Sequence, residues 1–425
     1  MNIPVWNSVI CPIMSQSVKP SKIVNDPVHG FIELPRGTLL NLIDSPAFQR
    51  LRRIKQLGMS SLVYPGAVHT RFNHALGAMH LMRQALDVLR RKKIEISKKE
   101  YRAAMIAILM HDIGHGPFSH ALEHTLIQGL HHEDMSLALM HYLNRQFKGK
   151  LSLAIDIFEG KYKRTFLHQL VSSQLDMDRM DYLMRDSFFT GVVEGIVGSD
   201  RIIKILNVYK DQLVCENKGI YSLEKFILAR RLMYWQVYLH KAAMSAEKTL
   251  VNVLGRAREL VLAGEQLPLS PNLAYFFQTK INPKDLNQEV LERFISLDDN
   301  DIEFAVKRWQ ASSDRVLADL CHRLMSRRLL KVLFQTEPFD PNYVADLRQQ
   351  YMKRASMSEE EARYYVFDGT VANQPYFENS KEPIMIWFKD GSLKDLASAT
   401  DLKNIHALAE PVVKYFLCLP EDVRS

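Results

Sequence analysis

Residues 111–120 read HDIGHGPFSH, three imidazoles and a carboxylate within ten positions, punctuated by Gly114, Gly116 and Pro117. They follow an apolar, helix-like run, YRAAMIAILM (101–110), so the polar groups are delivered where a buried helix should end. Neighbours on a helix point about 100° apart. His111 and Asp112 therefore reach one ion together only near a helix end, or with the ion between them. An imidazole with a carboxylate suits a borderline divalent ion such as Mn, Fe, Zn or Ni. Two ligands do not complete a site, and the chain offers more donors. Upstream, VHTRFNHALGAMHL (68–81) brings His69, His74 and His80 to a predicted helix start, with Arg71 beside them. Downstream, LDMDRMDYLMRD (175–186) is dense in acids, and Asp178, Tyr182 and Asp186 fall four apart on one helical face. That face is too polar for a core and is expected to line a site. His131-His132-Glu133 offers a further imidazole. Any one of these histidines, taken alone, reads as a packed structural residue. Together they exceed what a metal needs, which implies that some move protons or hold phosphate oxygens.

The elements that must position these groups follow from periodicity. Apolar residues recur at threes and fours in LLNLIDSPAFQRLRRI, HALGAMHLMRQALDVL and LEKFILARRLMYWQVYLHKAA, predicting helices through most of 38–260. LAGEQLPLSPNL (262–273), with two prolines and a glycine, marks a break. Helical pattern resumes to residue 332 and over 341–354. Then RYYVFDGTV, EPIMIWFKDGSL and VVKYFLCL turn rich in β-branched and aromatic residues, with Asp390-Gly391 as a turn signal. The expected fold is mainly α: an irregular lead-in over 1–20, a helical catalytic body over 21–262, and a helical extension with a smaller α+β C-terminal region over 263–425.

Composition bounds the function. The 425 residues are 47% hydrophobic and 24% charged, enough for a sizeable core. Apolar runs such as MIAILM (105–110) are too short to span a bilayer, and no signal-peptide pattern is read at the start. Cys11, Cys215, Cys321 and Cys418 form no CxxC pair, which argues against a cysteine zinc site and a disulfide framework and leads to a cytoplasmic expectation. A net charge of +7 favours anionic partners, whether nucleotides, nucleic acid or phosphorylated metabolites.

With these motifs in order the chain resembles the HD-domain superfamily of metal-dependent phosphohydrolases, and more closely its deoxynucleoside triphosphate triphosphohydrolases. The resemblance takes in NDPVHGFIELP, SPAFQRLRRIKQLG, YPGAVHTRFNHALG, HDIGHGPFSH, LDMDRMDYLMRD and RRLMYWQVYLHK, over residues 20–245. It implies one divalent transition metal (Mn, Fe, Zn or Ni) on His74, His111, Asp112 and Asp178, with Mg accompanying the substrate phosphates. It implies hydrolysis at the α-phosphate, releasing a deoxynucleoside and inorganic triphosphate. His115 matches a catalytic histidine near that phosphate, with His120 and Glu123 behind it as a proton-moving pair, and His132 matches a further phosphate-proximal histidine. Arg71, Arg179, Tyr182, Arg230 and Lys241 fall on the phosphate-and-sugar wall. Gln56 with Leu57, and Asp186, fall where the sugar and its 3′-hydroxyl are held, and Tyr238 where a tyrosine stacks on the deoxyribose. The chain departs from the vertebrate pattern at Tyr234, where a histidine is familiar, at Glu123, where an aspartate is, and at Arg179, where lysine is common.

Relatives of this kind assemble as dimers or tetramers and are switched on by a nucleotide, so a homo-oligomer is implied. Asn25, Asp44 and Arg52 fall near the positions of such an activator, although Asn25 could equally build a turn and Arg52 a surface charge. Two other readings stand beside the triphosphohydrolase. One is an HD phosphohydrolase acting on another nucleotide phosphate ester. The other is a nucleic-acid-binding HD protein, which the basic excess permits and a steep salt dependence would reveal.

Overall fold

The computed structural model describes residues 21–118, 129–373, 383–402 and 412–423. The expected lead-in over 1–20, Cys11, His120 and Glu123 lie outside the described residues.

A hairpin, β1 (Lys22–Asp26) and β2 (Gly30–Leu34), leads into two short helices, α1 (Thr38–Ile43) and α2 (Pro46–Gln49). The helical body follows: α3 (Arg71–Arg91), α4 (Lys98–Met110), α5 (His132–Gln146), α6 (Ser152–Phe158), α7 (Thr165–Gln169), α8 (Met177–Thr190) and α9 (Ser199–Ile205). A second hairpin, β3 (Leu206–Tyr209) and β4 (Gln212–Glu216), precedes α10 (Ile220–Met233), a π-helical turn at Tyr234–Tyr238 and α11 (Lys241–Leu262). The remainder contains α12 (Pro271–Gln278), α13 (Gln288–Ile295), α14 (Asp299–Trp309), α15 (Arg315–Met325), β5 (Lys331–Gln335), α16 (Pro341–Ala355), α17 (Glu359–Ala362), β6 (Phe367–Asn373), β7 (Met385–Trp387), β8 (Leu393–Asp395), α18 (Leu396–Ala399) and β9 (Val412–Leu419). The protein is thus mainly α, a helical body with a smaller α+β C-terminal region. No helix among the described residues is long and apolar enough to cross a membrane.

The helices that frame the site start and stop for local reasons. A capping box between Thr70 and Asn73 opens α3, and one between Ser97 and Glu100 opens α4. Asp176 caps α8 by accepting from the Arg179 amide at 2.7 Å, and Gly191 ends it at φ 75°. Two glycines set the approach of these elements. A Cβ on Gly77 of α3 would lie 1.9 Å from Asp181 Oδ1 on α8. A Cβ on Gly114 would lie 2.2 Å from the Ser136 nitrogen and 2.3 Å from the His132 oxygen, both backbone atoms of α5.

The strands are not confined to the C-terminal region. β7 pairs in parallel with β4, so the sheet β3-β4-β7-β8 is begun by the body and completed from residue 385 onward. Asp390-Gly391 turns the β7–β8 hairpin, with Gly391 at φ 87°. A second sheet, β5-β9-β6, is antiparallel. It reaches α11 through the Ser245 hydroxyl, which donates to the Leu330 carbonyl beside β5 at 2.7 Å. One apolar core runs from Ile32 and Phe48 through α3, α4 and α8 to Trp309 and Leu417. The body and the extension therefore share buried surface.

Candidate metal centre and substrate wall

His74 lies in the first turn of α3, His111 and Asp112 at the end of α4, and Asp178 in the first turn of α8. Their ligating atoms converge. His74 Nε2 is 3.3 Å from His111 Nε2 and 3.0 Å from Asp178 Oδ1. His111 Nε2 is 3.4 Å from Asp178 Oδ1 and 3.3 Å from Asp112 Oδ1. Donors bound at about 2.0–2.2 Å from one ion stand about 3.0–3.5 Å apart. His74, His111 and Asp112 group closely enough to hold a cation, with His74 Nε2 3.8 Å from Asp112 Oδ2, and Asp178 approaches that group through the two imidazoles. The far ring nitrogens support this. His111 Nδ1 meets the Ile108 carbonyl at 2.6 Å, and His74 Nδ1 meets Asp181 Oδ2 at 2.8 Å. With those nitrogens protonated, both Nε2 lone pairs face the cluster.

The electrostatics agree. Burial opposes protonation of His74, but the bonds to Asp178 and Asp181 outweigh it and raise its pKa to about 10. Burial likewise opposes His111, and Asp112 and Asp178 raise it. Burial alone would raise Asp178, yet His111 and His74 hold it low. The cluster is thus rich enough in negative charge to draw protons onto imidazoles, and a cation satisfies the same demand.

On one side lie the groups expected to meet phosphate. Arg71 is buried, with one guanidinium nitrogen 2.5 Å from Asp112 Oδ2. His115 Nε2 is 3.2 Å from Asp112 Oδ1, and its ring stacks on His132 with centroids 4.0 Å apart. Burial first, then Arg71, push His115 well below the ordinary imidazole range. Asp112, His115 and His132 also bring ligating atoms close enough for a second ion. The His115 and His132 rings are inclined by only 13°. Arg179 pairs with Asp176, and its Nε is buried without a partner among the described residues.

On the other side stands a tyrosine wall. Tyr238 Oη donates to Asp186 Oδ2 at 2.8 Å, and His69 Nε2 meets Asp186 Oδ1 at 2.7 Å. The Tyr238 ring lies 6.1 Å from Tyr182 and 5.2 Å from Tyr234, both edge-on. Arg230 is buried, and with Arg179 it acts electrostatically on the Tyr182 phenol. Tyr234 and Tyr238 bound a widened turn, closed by the Leu239 amide on the Tyr234 carbonyl at 2.7 Å, rather than continuing α10. Tyr64 Oη donates at 2.5 Å to the Gln236 carbonyl within it. The Gln56 amide donates to the His69 carbonyl at 3.0 Å, and its Oε1 is buried without a partner among the described residues. Leu57 packs half-buried against the core.

Other expected residues are placed elsewhere. Lys241 is exposed, its ammonium 5.9 Å over the Phe334 ring of β5. Asn25, Asp44 and Arg52 are all exposed. Asp44 meets Lys22 at 3.5 Å, and Arg52 lies 3.6 Å over the Phe72 ring. Of the three upstream histidines, only His74 joins the metal cluster; His80 contacts Gln84 at 2.9 Å.

Sequence reasoning did not single out Asp181, His29, Arg185 or Arg50. Asp181 is fully buried and meets His74, His29 Nε2 at 2.6 Å and Arg185 Nε at 2.9 Å. Arg185 also donates to Asp26 at 2.8 Å, and Asp26 accepts the His29 amide at 2.9 Å. The β1–β2 turn thus supports His74 from behind. Arg50, fully buried, donates to the carbonyls of Ile113 at 3.0 Å and His115 at 2.8 Å, fixing the HDIGH turn.

Comparison with known proteins matches this arrangement. The HD domain family matches residues 71–186, and a family described as the HD associated region matches 197–266. A phosphohydrolase of known structure from Bacteroides thetaiotaomicron is 49% identical, with a TM-score of 0.90 over 94% of this chain and 99% of that one. The Bacillus subtilis protein YwfO is 33% identical over 393 residues, 88% of this chain and 87% of YwfO. The deoxynucleoside triphosphate triphosphohydrolase SAMHD1 homolog of Dictyostelium discoideum is 34% identical over 270 residues, 59% of this chain but only 52% of that relative. The convergence of His74, His111, Asp112 and Asp178 and these matches lead to one conclusion: the chain belongs to the HD-domain superfamily of phosphohydrolases and, within it, resembles the deoxynucleoside triphosphate triphosphohydrolases.

Proposed function

We propose that the protein hydrolyses deoxynucleoside triphosphates at this centre, with water attacking the α-phosphorus and the P–O5′ bond breaking to give a deoxynucleoside and inorganic triphosphate. The observation that carries the reading is the Tyr238–Asp186 contact of 2.8 Å. It sets the Tyr238 phenol against Asp186, which shares a helix face with Asp178. Eight residues of α-helix separate the two aspartates, about 12 Å, a length that an α-phosphate, a deoxyribose and one hydrogen bond fill.

The metal is one divalent ion of the Mn, Fe, Zn or Ni class on His74, His111, Asp112 and Asp178, with Mg able to accompany the phosphates. Such an ion would polarise a phosphate oxygen and acidify a bound water. The chain's own groups do the rest. Arg71, Arg179 and the stacked His115 and His132 hold phosphate oxygens. His115, with His120 and Glu123, hands a proton to the departing 5′-oxygen. Asp186 and the Gln56 side-chain amide hold the 3′-hydroxyl, and the Tyr238 ring occupies the space that a 2′-hydroxyl needs. The resemblance to SAMHD1 relatives supports a homo-oligomer, with Asn25, Asp44 and Arg52 exposed for an activating nucleotide.

Product analysis tests the reading. Mn-loaded protein is incubated with the four dNTPs mixed, with each alone, and with GTP as the ribonucleotide control, and products are resolved by chromatography. Deoxynucleoside with intact triphosphate supports the proposal; monophosphate with pyrophosphate would move it to another phosphate ester.

A further inference from the structure

Three buried or partly buried groups of the helical extension face the catalytic body at one place, the start of α14. The Asp299 carboxylate, 3% exposed, bridges two backbone amides from different loops. Its Oδ2 accepts from the Lys55 amide at 2.8 Å and its Oδ1 from the Phe118 amide at 2.9 Å. Around it, Lys55 Nζ meets Glu303 at 2.6 Å, Arg53 pairs with Asp298, and Arg50 reaches the Leu297 carbonyl at 3.4 Å.

Both bridged segments belong to the site. Residues 54–56 run beside 69–71, with the Arg71 amide on the Ile54 carbonyl at 2.9 Å and the Gln56 amide on His69 at 3.0 Å. A shift of Lys55 therefore moves Gln56, His69 and Arg71 together. Phe118 lies three residues beyond His115, and it holds φ at 47°, a left-handed conformation that a bulky residue rarely adopts. The Asp299 bond helps to retain it there. Arg50 complements the carboxylate: Arg50 takes the carbonyls of the turn and Asp299 takes an amide.

We propose that Asp299 is a positioning residue, a bracket by which the helical extension fixes the distance between the Gln56 loop and the histidine-bearing turn. The extension thus completes the site without contributing a group that touches substrate. The inference rests on the HD centre being the hydrolytic site, and the test separates the two.

The variant Asp299→Asn keeps the volume but turns one of the two acceptors into an NH2 facing a backbone N–H, so it cannot accept from both amides. Wild type and variant are compared, as full chains, by amide hydrogen exchange, by metal content, and by kcat and KM for a dNTP mixture with Mn. The expected result is faster exchange at Lys55 and Phe118, unchanged metal content, and a kcat reduced about 10- to 100-fold with KM within about threefold, as for a misplacement of roughly 1 Å. Asp299→Ser, whose short hydroxyl cannot span both amides, should give the same exchange signature if the Asn variant does not fold. Unchanged exchange at both amides overturns the proposal, as does lost metal or a kcat within twofold of wild type. If the wild type turns over no dNTP, the hydrolytic reading fails, while exchange at the two amides still decides the bracket.

Discussion

Replacing Asp181 by Asn should weaken metal binding although Asp181 is itself no ligand. The carboxylate has no exposure and serves four donors: His74 Nδ1 at 2.8 Å, His29 Nε2 at 2.6 Å, and Arg185 Nε and one terminal nitrogen at 2.9 Å each. The amide removes the charge that keeps His74 Nδ1 protonated and its Nε2 basic, and it presents an NH2 to one of these donors. Outer partners of this kind are worth about 10- to 100-fold in metal affinity, about 1.4–2.7 kcal/mol. A second cost falls on the fold, because Arg185, buried without exposure, is left with Asp26 alone. Breaking a buried pair costs about 3–5 kcal/mol. The assay is competition for Mn or Zn against a chelator of known affinity, at a temperature where circular dichroism shows the variant folded, with urea unfolding alongside. An affinity within twofold of wild type in a folded variant would refute the claim that Asp181 tunes the ligand.

Further perturbations follow from other contacts. Gly114→Ala drives a Cβ into the Ser136 nitrogen and His132 oxygen, 2.2 and 2.3 Å away, and should cost about 3 kcal/mol or more in urea unfolding; a midpoint equal to wild type would show that α5 yields. Tyr238→Phe should raise KM for dNTPs but keep their preference over ribonucleotides, because the ring remains. Tyr238→Ala should erode that preference by about 1–3 kcal/mol, about 5- to 150-fold, read as the ratio of kcat/KM values; an unchanged ratio would leave Tyr238 as packing. Burial raises the Asp299 carboxyl from 3.8 to about 6, with Glu303 adding to this and Lys55 and the two amides opposing it. A raised carboxyl stabilises most when protonated, below 3.8, and that stability is lost as pH rises through 6. Between pH 7 and 5 the wild type should therefore gain about 1.3 kcal/mol relative to Asp299→Asn; a constant difference would contradict the sign.

Much of the site was legible because its groups are local. HDIGHGPFSH announced a helix end loaded with donors, and the four-residue spacing of Asp178, Tyr182 and Asp186 placed the proposed metal ligand and the proposed sugar contact on one face of α8. The supporting groups were not legible, because their meaning lies in contacts distant in sequence. Asp181 stands among several acids, and only its approach to His74, 107 residues away, distinguishes it. Arg50 looks like one charge in QRLRR, yet it is buried against carbonyls 63 and 65 residues on. The β3–β4 hairpin lacked a glycine signal; Lys210 and Asp211 adopt φ of 51° and 61° unaided by one. The π-turn at Tyr234–Tyr238 leaves no mark in a periodicity of threes and fours, so those residues read as a simple continuation of a helix.

The central claim is that one divalent ion on His74, His111, Asp112 and Asp178 drives the hydrolysis. Elemental analysis of the purified protein and of Asp178→Ala, with triphosphate release from dNTPs measured on the same samples, tests it most directly. The account predicts about one ion per chain and triphosphate from the wild type, and neither from a folded Asp178→Ala. Triphosphate released by the variant at the wild-type rate would contradict it.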